Sequence, residues 1–451
     1  MGRLFGTDGV RGIANSELSC ERAMEIGRAA ATILSDGCRH APTFLIGCDT
    51  RASSDMLRAA LSAGLCSVGA NVIDVGVIAT PAVAFLIGKY KADAGIMISA
   101  SHNPAEFNGI KIFNGNGFKL ADMLEERIEE IVLDRVTPPV LAYGTNVGRI
   151  TYAKNAVKDY VRHIKSTVYN SLTGLKIAVD CANGSASVSA KMLFEELGAE
   201  VHLLSADPDG ENINKNCGST DLDNLSKYVV DHDLDCGVAF DGDADRCLCI
   251  DENGNVIDGD MIMAICSLDL MKRGKLNKNA VVGTILTNFG FTKFCEENNL
   301  KFIATKVGDR YVLEEMMLED YSFGGEQSGH IIFRDFATTG DGQLTAAQLL
   351  SHLKSEKRTL SSLASVMTRY PQISVNIKTT AEGKLAFYTD RSIDEAILSA
   401  KEKLGDSGRI VVRPSGTEPL IRVMVEGKDE KQISEIASSV SDFIKDKLSK
   451  K

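Results

Sequence analysis

Residues 43–75 read TFLIGCDTRASSDMLRAALSAGLCSVGANVIDV. An apolar strand, Thr43 to Gly47, runs into a polar turn at Asp49-Thr50-Arg51. A helix follows over about Asp55 to Val68, then Gly69-Ala70, then a second strand from Asn71 to Val75. Two short apolar strands joined by one helix make a βαβ unit, with parallel strands and a right-handed crossover. The Gly-Ala pair is a helix C-cap signal. The same order returns twice. Lys176 to Asp180, a turn at Asn183-Gly184, a helix over about Val188 to Leu197, Gly198-Ala199 and Glu200 to Leu204 form the second copy. Ala280 to Ile285, a turn around Asn288-Phe289-Gly290, a helix to Asn298 and Lys301 to Ala304 form the third.

After each copy comes a further apolar stretch and then a polar loop. Gly95 to Ile98 leads to Ser99-Ala100-Ser101-His102-Asn103-Pro104, and Gly237 to Phe240 leads to Asp241-Gly242-Asp243-Ala244-Asp245-Arg246. Tyr321 to Phe323 leads to Gly324-Gly325-Glu326-Gln327-Ser328-Gly329-His330. Ligand sites in parallel α/β sheets lie at strand ends, so three special loops at one repeated position point to function. The last segment differs. It has a strand Ile373 to Ile377, a helix Ser392 to Leu404, strands Arg409 to Val412 and Leu420 to Glu426, and an amphipathic helix from about Glu430 to Leu448. That order reads as a small α+β domain with a mixed or antiparallel sheet. The expected fold is α/β in four domains. Three are repeated, with mixed, largely parallel sheets, over residues 1–150, 151–255 and 256–367, and the C-terminal α+β domain covers 368–451.

Each loop has a bland explanation and a chemical one. Ser101 is a hydroxyl nucleophile behind which Pro104 restrains the backbone, or else a turn cap. A Ser-His-Asp hydrolase is disfavoured, because no Gly-x-Ser-x-Gly elbow surrounds Ser101 and His102 is adjacent in sequence. Asp241, Asp243 and Asp245 offer three carboxylates to a hard cation. An EF-hand fails, since Arg246 replaces the glycine needed at the sixth position and the flanks read as strands. A solvated acidic turn would leave like charges uncompensated at close range. Gly324-Gly325 allows close backbone approach, Glu326 and Ser328 can bind vicinal hydroxyls, and His330 can move a proton near neutral pH. Arg413 can hold phosphate in a bidentate contact, with Ser415, Gly416 and Thr417 adding donors and Arg422 close in sequence. Phe5-Gly6-Thr7-Asp8-Gly9-Val10-Arg11-Gly12 is a glycine-rich stretch carrying Arg11, and Lys111 follows the serine loop.

The net charge of −11 argues against nucleic acid, and an anionic substrate must be drawn by local Arg and Lys. The longest nearly apolar run, Val75 to Gly88, is too short to span a bilayer and contains Pro81. No apolar leader stands at the N-terminus, and eleven cysteines without a C-x-x-C pair point to reduced thiols and a cytoplasmic setting. Cys247 and Cys249 read as buried strand thiols.

Taken together, the four loops resemble the signature of the α-D-phosphohexomutase superfamily, in family order and over nearly the whole chain. Phe5 to Gly12, Ile98 to Pro104 and Gln327 most resemble its bacterial branch acting on glucosamine phosphates. The resemblance implies a heart-shaped molecule with one central cleft. It implies phosphoserine at Ser101 and one Mg²⁺ per chain on Asp241, Asp243, Asp245 and the Ser101 group. Glu326 and Ser328 would bind sugar hydroxyls, and Arg413, Ser415 and Thr417 the phosphate that is not reacting. Arg11, Lys111, Arg246 and His330 would support the transition state or move a proton. The implied activity is reversible conversion of glucosamine 6-phosphate to glucosamine 1-phosphate through a sugar 1,6-bisphosphate, feeding UDP-N-acetylglucosamine and cell-wall precursors. A homodimer is favoured, with a hexosamine phosphate as the small-molecule partner and neither nucleic acid nor membrane. The same chemistry on glucose or mannose phosphates, a metal-dependent phosphatase, and a non-catalytic sugar-phosphate-binding regulator are the rivals.

Overall fold

The structure, a computed structural model, describes residues 3–6, 8–35, 39–415 and 419–449. In the first sheet Thr43–Cys48 lies between parallel neighbours Asn71–Val77 and Ala94–Ile98, and Phe107–Asn114 returns antiparallel to the latter. Val10–Ile13 closes one edge and Ile150–Tyr152 the other. The second sheet repeats the plan with Lys176–Asp180 between Glu200–Leu204 and Cys236–Phe240, and Cys247–Asp251 returning. The third does so with Ala280–Thr284 between Lys301–Thr305 and Phe323–Gly325, and Ile331–Phe333 returning. Each special loop of these three units is thus the connection from the last parallel strand to an antiparallel return. The fourth sheet, Gln372–Lys378, Leu420–Gly427 and Gly408–Pro414, is wholly antiparallel.

Local chemistry accounts for the elements. Ser19 caps the helix Cys20–Leu34 by accepting from the Arg22 N–H, and Asp258, Asn288 and Asp341 cap later helices in the same way. Gly69 and Gly198, at φ +91° and +100°, end the crossover helices of the first two units in a conformation that glycine adopts without strain. Helices Cys20–Leu34 and Ala52–Ser67 touch main chain to main chain, since a Cβ at Gly64 would sit 2.3 Å from the Met24 carbonyl oxygen.

The strand Ile150–Tyr152 pairs with Asn71–Val77 at the edge of the first sheet. The apolar stretch Tyr321 to Phe323 becomes strand only at Phe323 and the strand runs on to Gly325, with the Tyr321 N–H spent on the Met316 carbonyl. A helix at Ala381–Thr389, capped by Thr380, was not expected.

One apolar core runs through the first three units, from Leu45 and Met97 through Val179 and Phe240 to Phe323 and Leu350. The helix Gly342–Glu356 lies inside it, buried nearly all round. The C-terminal unit has its own core around Ile377, Ile393, Val423, Val425 and Ile444. Polar contacts join it to the third unit. Glu426, fully buried, accepts from Asn288 and from the Phe289 N–H, and Arg409 pairs with Glu426 and donates to the Thr287 carbonyl.

Candidate active site

The Asp loop is where three units meet. Its main-chain carbonyls accept from all of them: Gly242 from Ser185 N–H at 2.8 Å, Asp243 from Thr80 N–H at 2.9 Å and Ala244 from Gly342 N–H at 3.0 Å. Gly242 must lack a side chain, since a Cβ there would lie 2.6 Å from the Ser101 carbonyl oxygen. The serine loop therefore rests directly on the Asp loop. Ser101 is buried, has φ +52° and donates its hydroxyl to Asp241 Oδ2 at 2.6 Å. His102 Nδ1 lies 3.4 Å from the same hydroxyl. Burial, then Arg246 and Arg11, push the His102 imidazole down to about 4, so it is neutral at pH 7.

One oxygen from each of Asp241, Asp243 and Asp245 lies within 4.8 Å of the others, and all three residues are buried. Burial and the two neighbouring carboxylates push Asp241 well up. Burial acts the same way on Asp245, but Lys111, His330 and Arg246 outweigh it and hold that carboxyl low. Lys111 Nζ sits 2.7 Å from Asp243, 2.8 Å from Asp8 and 3.7 Å from Asp245. Burial disfavours its charge, yet these carboxylates outweigh it and keep the ammonium protonated. Oδ1 of Asp243 and Oδ1 of Asp245 are buried without a hydrogen-bond partner. Buried oxygens left unsatisfied beside a third carboxylate are what a hard divalent cation needs, so the residues fit such an ion. Glu252 is used elsewhere, accepting from Ser361, which agrees with the absence of an EF-hand.

Above this floor opens a cavity of about 580 Å³ whose lining includes Arg11, His102, Asp245, Arg246, Glu326 and His330, from the first three units. Lys111 is buried and does not line it, nor do Ser101, Asp241 and Asp243, and Ser328 is also off its wall, with a buried hydroxyl lacking a partner. Glu326 accepts from the Gly308 N–H at 3.0 Å, and burial raises its carboxyl. His330 Nε2 accepts from the Gly340 N–H at 3.0 Å, and Nδ1 faces Asp245 at 3.6 Å. That contact places the proton of a neutral ring on Nδ1. Burial works against charge on His330, while Asp245 and Asp309 raise it.

The phosphate residues of the C-terminal unit stand apart. No described residue of that unit lines the cavity. Arg413 and Arg422 are direct cross-strand partners, and burial followed by the Arg422 charge lowers Arg413. Ser415 accepts at its carbonyl from Lys384 Nζ at 2.5 Å. Gly416 and Thr417 lie outside the described residues.

Sequence reasoning passed over several groups here. Asp8 binds Arg11, Lys111 and Lys119 together. Lys119 also reaches Asp309 at 2.5 Å, tying the first unit to the third. Thr80 donates to Asp243 at 2.5 Å, and Gly340 orients His330. Asp8 stands in the glycine-rich stretch already singled out. Nothing local marks Thr80, Lys119, Asp309 or Gly340. Cys247 and Cys249 are buried strand thiols as expected, with sulfurs 3.8 Å apart.

Four family models for phosphoglucomutase/phosphomannomutase match the chain: alpha/beta/alpha domain I at residues 2–137, domain II at 158–254, domain III at 258–370 and the C-terminal domain at 375–443. A phosphoglucosamine mutase of Clostridium novyi is 53% identical over 447 residues, covering 99% of each chain. Among solved structures, a phosphoglucomutase/phosphomannomutase family protein from Burkholderia thailandensis superposes with a TM-score of 0.83 at 22% identity, covering 98% of this chain and 97% of that one. An N-acetylphosphoglucosamine mutase of Aspergillus fumigatus, solved with GlcNAc-6P and magnesium, superposes with a TM-score of 0.72 at 16% identity, over 99% and 96%. Among the described residues, no helix is long and apolar enough to cross a membrane.

Proposed function

The chain belongs to the phosphoglucomutase/phosphomannomutase family of isomerases, and on that premise we propose that it interconverts glucosamine 6-phosphate and glucosamine 1-phosphate through phosphoserine 101. The observation that carries the chemistry is the buried Ser101 hydroxyl, 2.6 Å from one of three clustered carboxylates, with its neighbour His102 and the carboxylate Asp245 lining a cavity together with Arg11, Arg246 and His330. The substrate rests on the relative at 53% identity, named for glucosamine.

Phosphoserine 101 gives its phosphoryl group to the free oxygen of the sugar phosphate, forming a 1,6-bisphosphate. The bisphosphate turns over, and its other phosphate returns to Ser101. Asp241, Asp243, Asp245 and an oxygen of the phosphoserine would hold Mg²⁺, which would neutralise charge on the transferring group. The chain's own residues do the rest. Lys111, held as an ammonium, and Arg246 and Arg11 add fixed positive charge. His330 lines the cavity and Lys111 does not; for His330 to take the proton of the sugar hydroxyl, its Nε2 must leave the Gly340 N–H. Glu326 and Ser328 take sugar hydroxyls. Arg413, Ser415, Gly416, Thr417 and Arg422 take the other phosphate. Because the C-terminal unit has a separate core, it can close over the cavity as a body and exclude water. The ten cysteines described are all free, which supports a reducing, cytoplasmic setting.

Initial rates with glucosamine 1-phosphate, glucose 1-phosphate and mannose 1-phosphate, with Mg²⁺ and trace sugar 1,6-bisphosphate, test the reading, with Ser101→Ala in parallel. A preference for the amino sugar that the variant loses is the expected result. A preference for glucose or mannose keeps the mechanism and removes the substrate. No turnover of any of the three by the wild type refutes the reading.

A further inference from the structure

Asp49 and Arg51 form an ion pair at 2.9 Å, with neither side chain exposed to solvent. No step above uses either charge. A buried pair of this kind is weak support for stability, because desolvation offsets the attraction. Its partners show what it holds. Arg51 Nη2 donates to the Ser101 carbonyl at 2.9 Å and the Asn103 carbonyl at 2.8 Å, and Nη1 donates to the Pro104 carbonyl. Asp49 Oδ2 accepts from the Ser99 hydroxyl at 2.6 Å, and that hydroxyl accepts from the Ser101 N–H at 2.9 Å. One ion pair therefore fixes both main-chain polar groups of Ser101. From the second unit, Asn214 Nδ2 donates to the same carbonyls of Ser101 and Asn103, at 2.9 and 3.2 Å. The turn that carries the pair is itself tied to the second unit, by the Thr50 hydroxyl on the Asn183 carbonyl at 2.6 Å and the Ala52 N–H on the Gly210 carbonyl at 3.0 Å.

Ser101 at φ +52° occupies backbone space that a non-glycine residue keeps only when its surroundings over-determine it. The guanidinium fork suits that task, since it can grip several carbonyls at once where an ammonium grips fewer. We propose that Arg51 is a positioning residue for phosphoryl transfer. With Asp49 and Asn214, it clamps the serine loop so that the Ser101 oxygen stays aimed at the carboxylate cluster. The proposal rests on the mutase reading above. It places Arg51 on the chemical step and not on substrate binding, because no atom of Arg51 lines the cavity. Phosphoryl donation from phosphoserine 101 and phosphoryl return to Ser101 then slow together.

The test compares wild type, Arg51→Lys, Arg51→Met and Asn214→Ala. It measures kcat and KM for glucosamine 1-phosphate, single-turnover phosphorylation of Ser101 by sugar 1,6-bisphosphate, and the fraction folded. Arg51→Met is expected to lower kcat and the phosphorylation rate by the same factor, about 30- to 300-fold, with KM within about twofold. Arg51→Lys is expected to recover to within about tenfold of wild type, and Asn214→Ala to lose about 5- to 20-fold. Unchanged kcat per folded enzyme, or a loss confined to KM, overturns the proposal. If Arg51→Met does not fold, Arg51→Lys and Asn214→Ala decide: wild-type kcat in both overturns it, and the stated losses at constant KM support it. A wild type that turns over no hexose phosphate refutes the mutase reading itself, a separate outcome.

Discussion

Lys111→Met keeps the length and bulk of the side chain and removes its charge. Lys111 Nζ is 2.7 Å from Asp243 and 3.7 Å from Asp245. At an effective dielectric constant of about 20, these contacts amount to about 6 and about 4.5 kcal/mol of attraction. The three carboxylate oxygens lie within 4.8 Å of one another, so each pair repels by at least about 3.5 kcal/mol on that scale, about 10 kcal/mol for three pairs. Asp8, at 2.8 Å, draws on the same ammonium, and Asp241 is already pushed up by its neighbours, so the ammonium is the positive charge that these four carboxylates share. Without it the carboxylates take up protons, which limits the net loss to the roughly 3–5 kcal/mol found when one partner of a buried pair is removed. A divalent cation among the same oxygens replaces the missing charge. It binds more tightly once Lys111 no longer competes, and adds about 3 kcal/mol at a hundred times its dissociation constant. The assay is urea unfolding of both proteins in EDTA and in excess Mg²⁺, following the first transition. Lys111→Met is expected to lose about 3–5 kcal/mol in EDTA and to gain more from Mg²⁺ than the wild type does. Equal midpoints in EDTA, or equal Mg²⁺ shifts in the two proteins, would refute the charge balance.

A Cβ at Gly340 would lie 2.5 Å from the His330 ring, so Gly340→Ala should displace the imidazole, cost about 1–3 kcal/mol of stability and lower kcat per folded enzyme about 10- to 100-fold, read by steady-state kinetics beside urea unfolding. Burial, against hydrogen bonds from the Leu344 N–H and the Tyr160 hydroxyl, pushes Asp341 up to about 6. A raised acid stabilises fully below its unfolded value near 4, and that contribution is lost as pH rises through 6. Asp341→Asn keeps the cap and should lower stability at pH 4 relative to pH 7 by about 2.5 kcal/mol compared with the wild type, measured by urea unfolding at both. Arg413 faces Arg422 directly across two strands, and like charges so placed repel. Arg413→Gln should therefore raise KM for the sugar phosphate about 10- to 100-fold while leaving the ligand-free protein at least as stable, checked by kinetics and thermal unfolding.

Much of the architecture was legible because its signals are local. Apolar runs of strand length, Asp or Asn at helix starts and Gly69 or Gly198 at helix ends act within a few residues of themselves, and the elements fall within a few residues of expectation. What was not legible has equally specific causes. The apolar stretch at Tyr321 becomes strand only at Phe323, and the Tyr321 N–H is claimed by the preceding helix at Met316. The helix Ala381–Thr389 carries almost no amphipathic pattern to betray it.

What the sequence determined by itself was the repeat, and with it the placing of three polar loops at equivalent strand ends: their spacing follows from short-range propensity, and the chemistry of Ser101 and of Asp241, Asp243 and Asp245 is written in the residue types. What only the tertiary structure decided was the company those residues keep. Lys119 meets Asp309 across 190 positions, Ser101 meets Asp241 across 140, and Arg51 grips the serine loop across 50. Such contacts depend on how three units pack around one apolar core, a sum of many weak side-chain contacts that no single stretch of sequence encodes. Charge balance in a buried site is likewise set by distance and desolvation, and both exist only after the chain has folded.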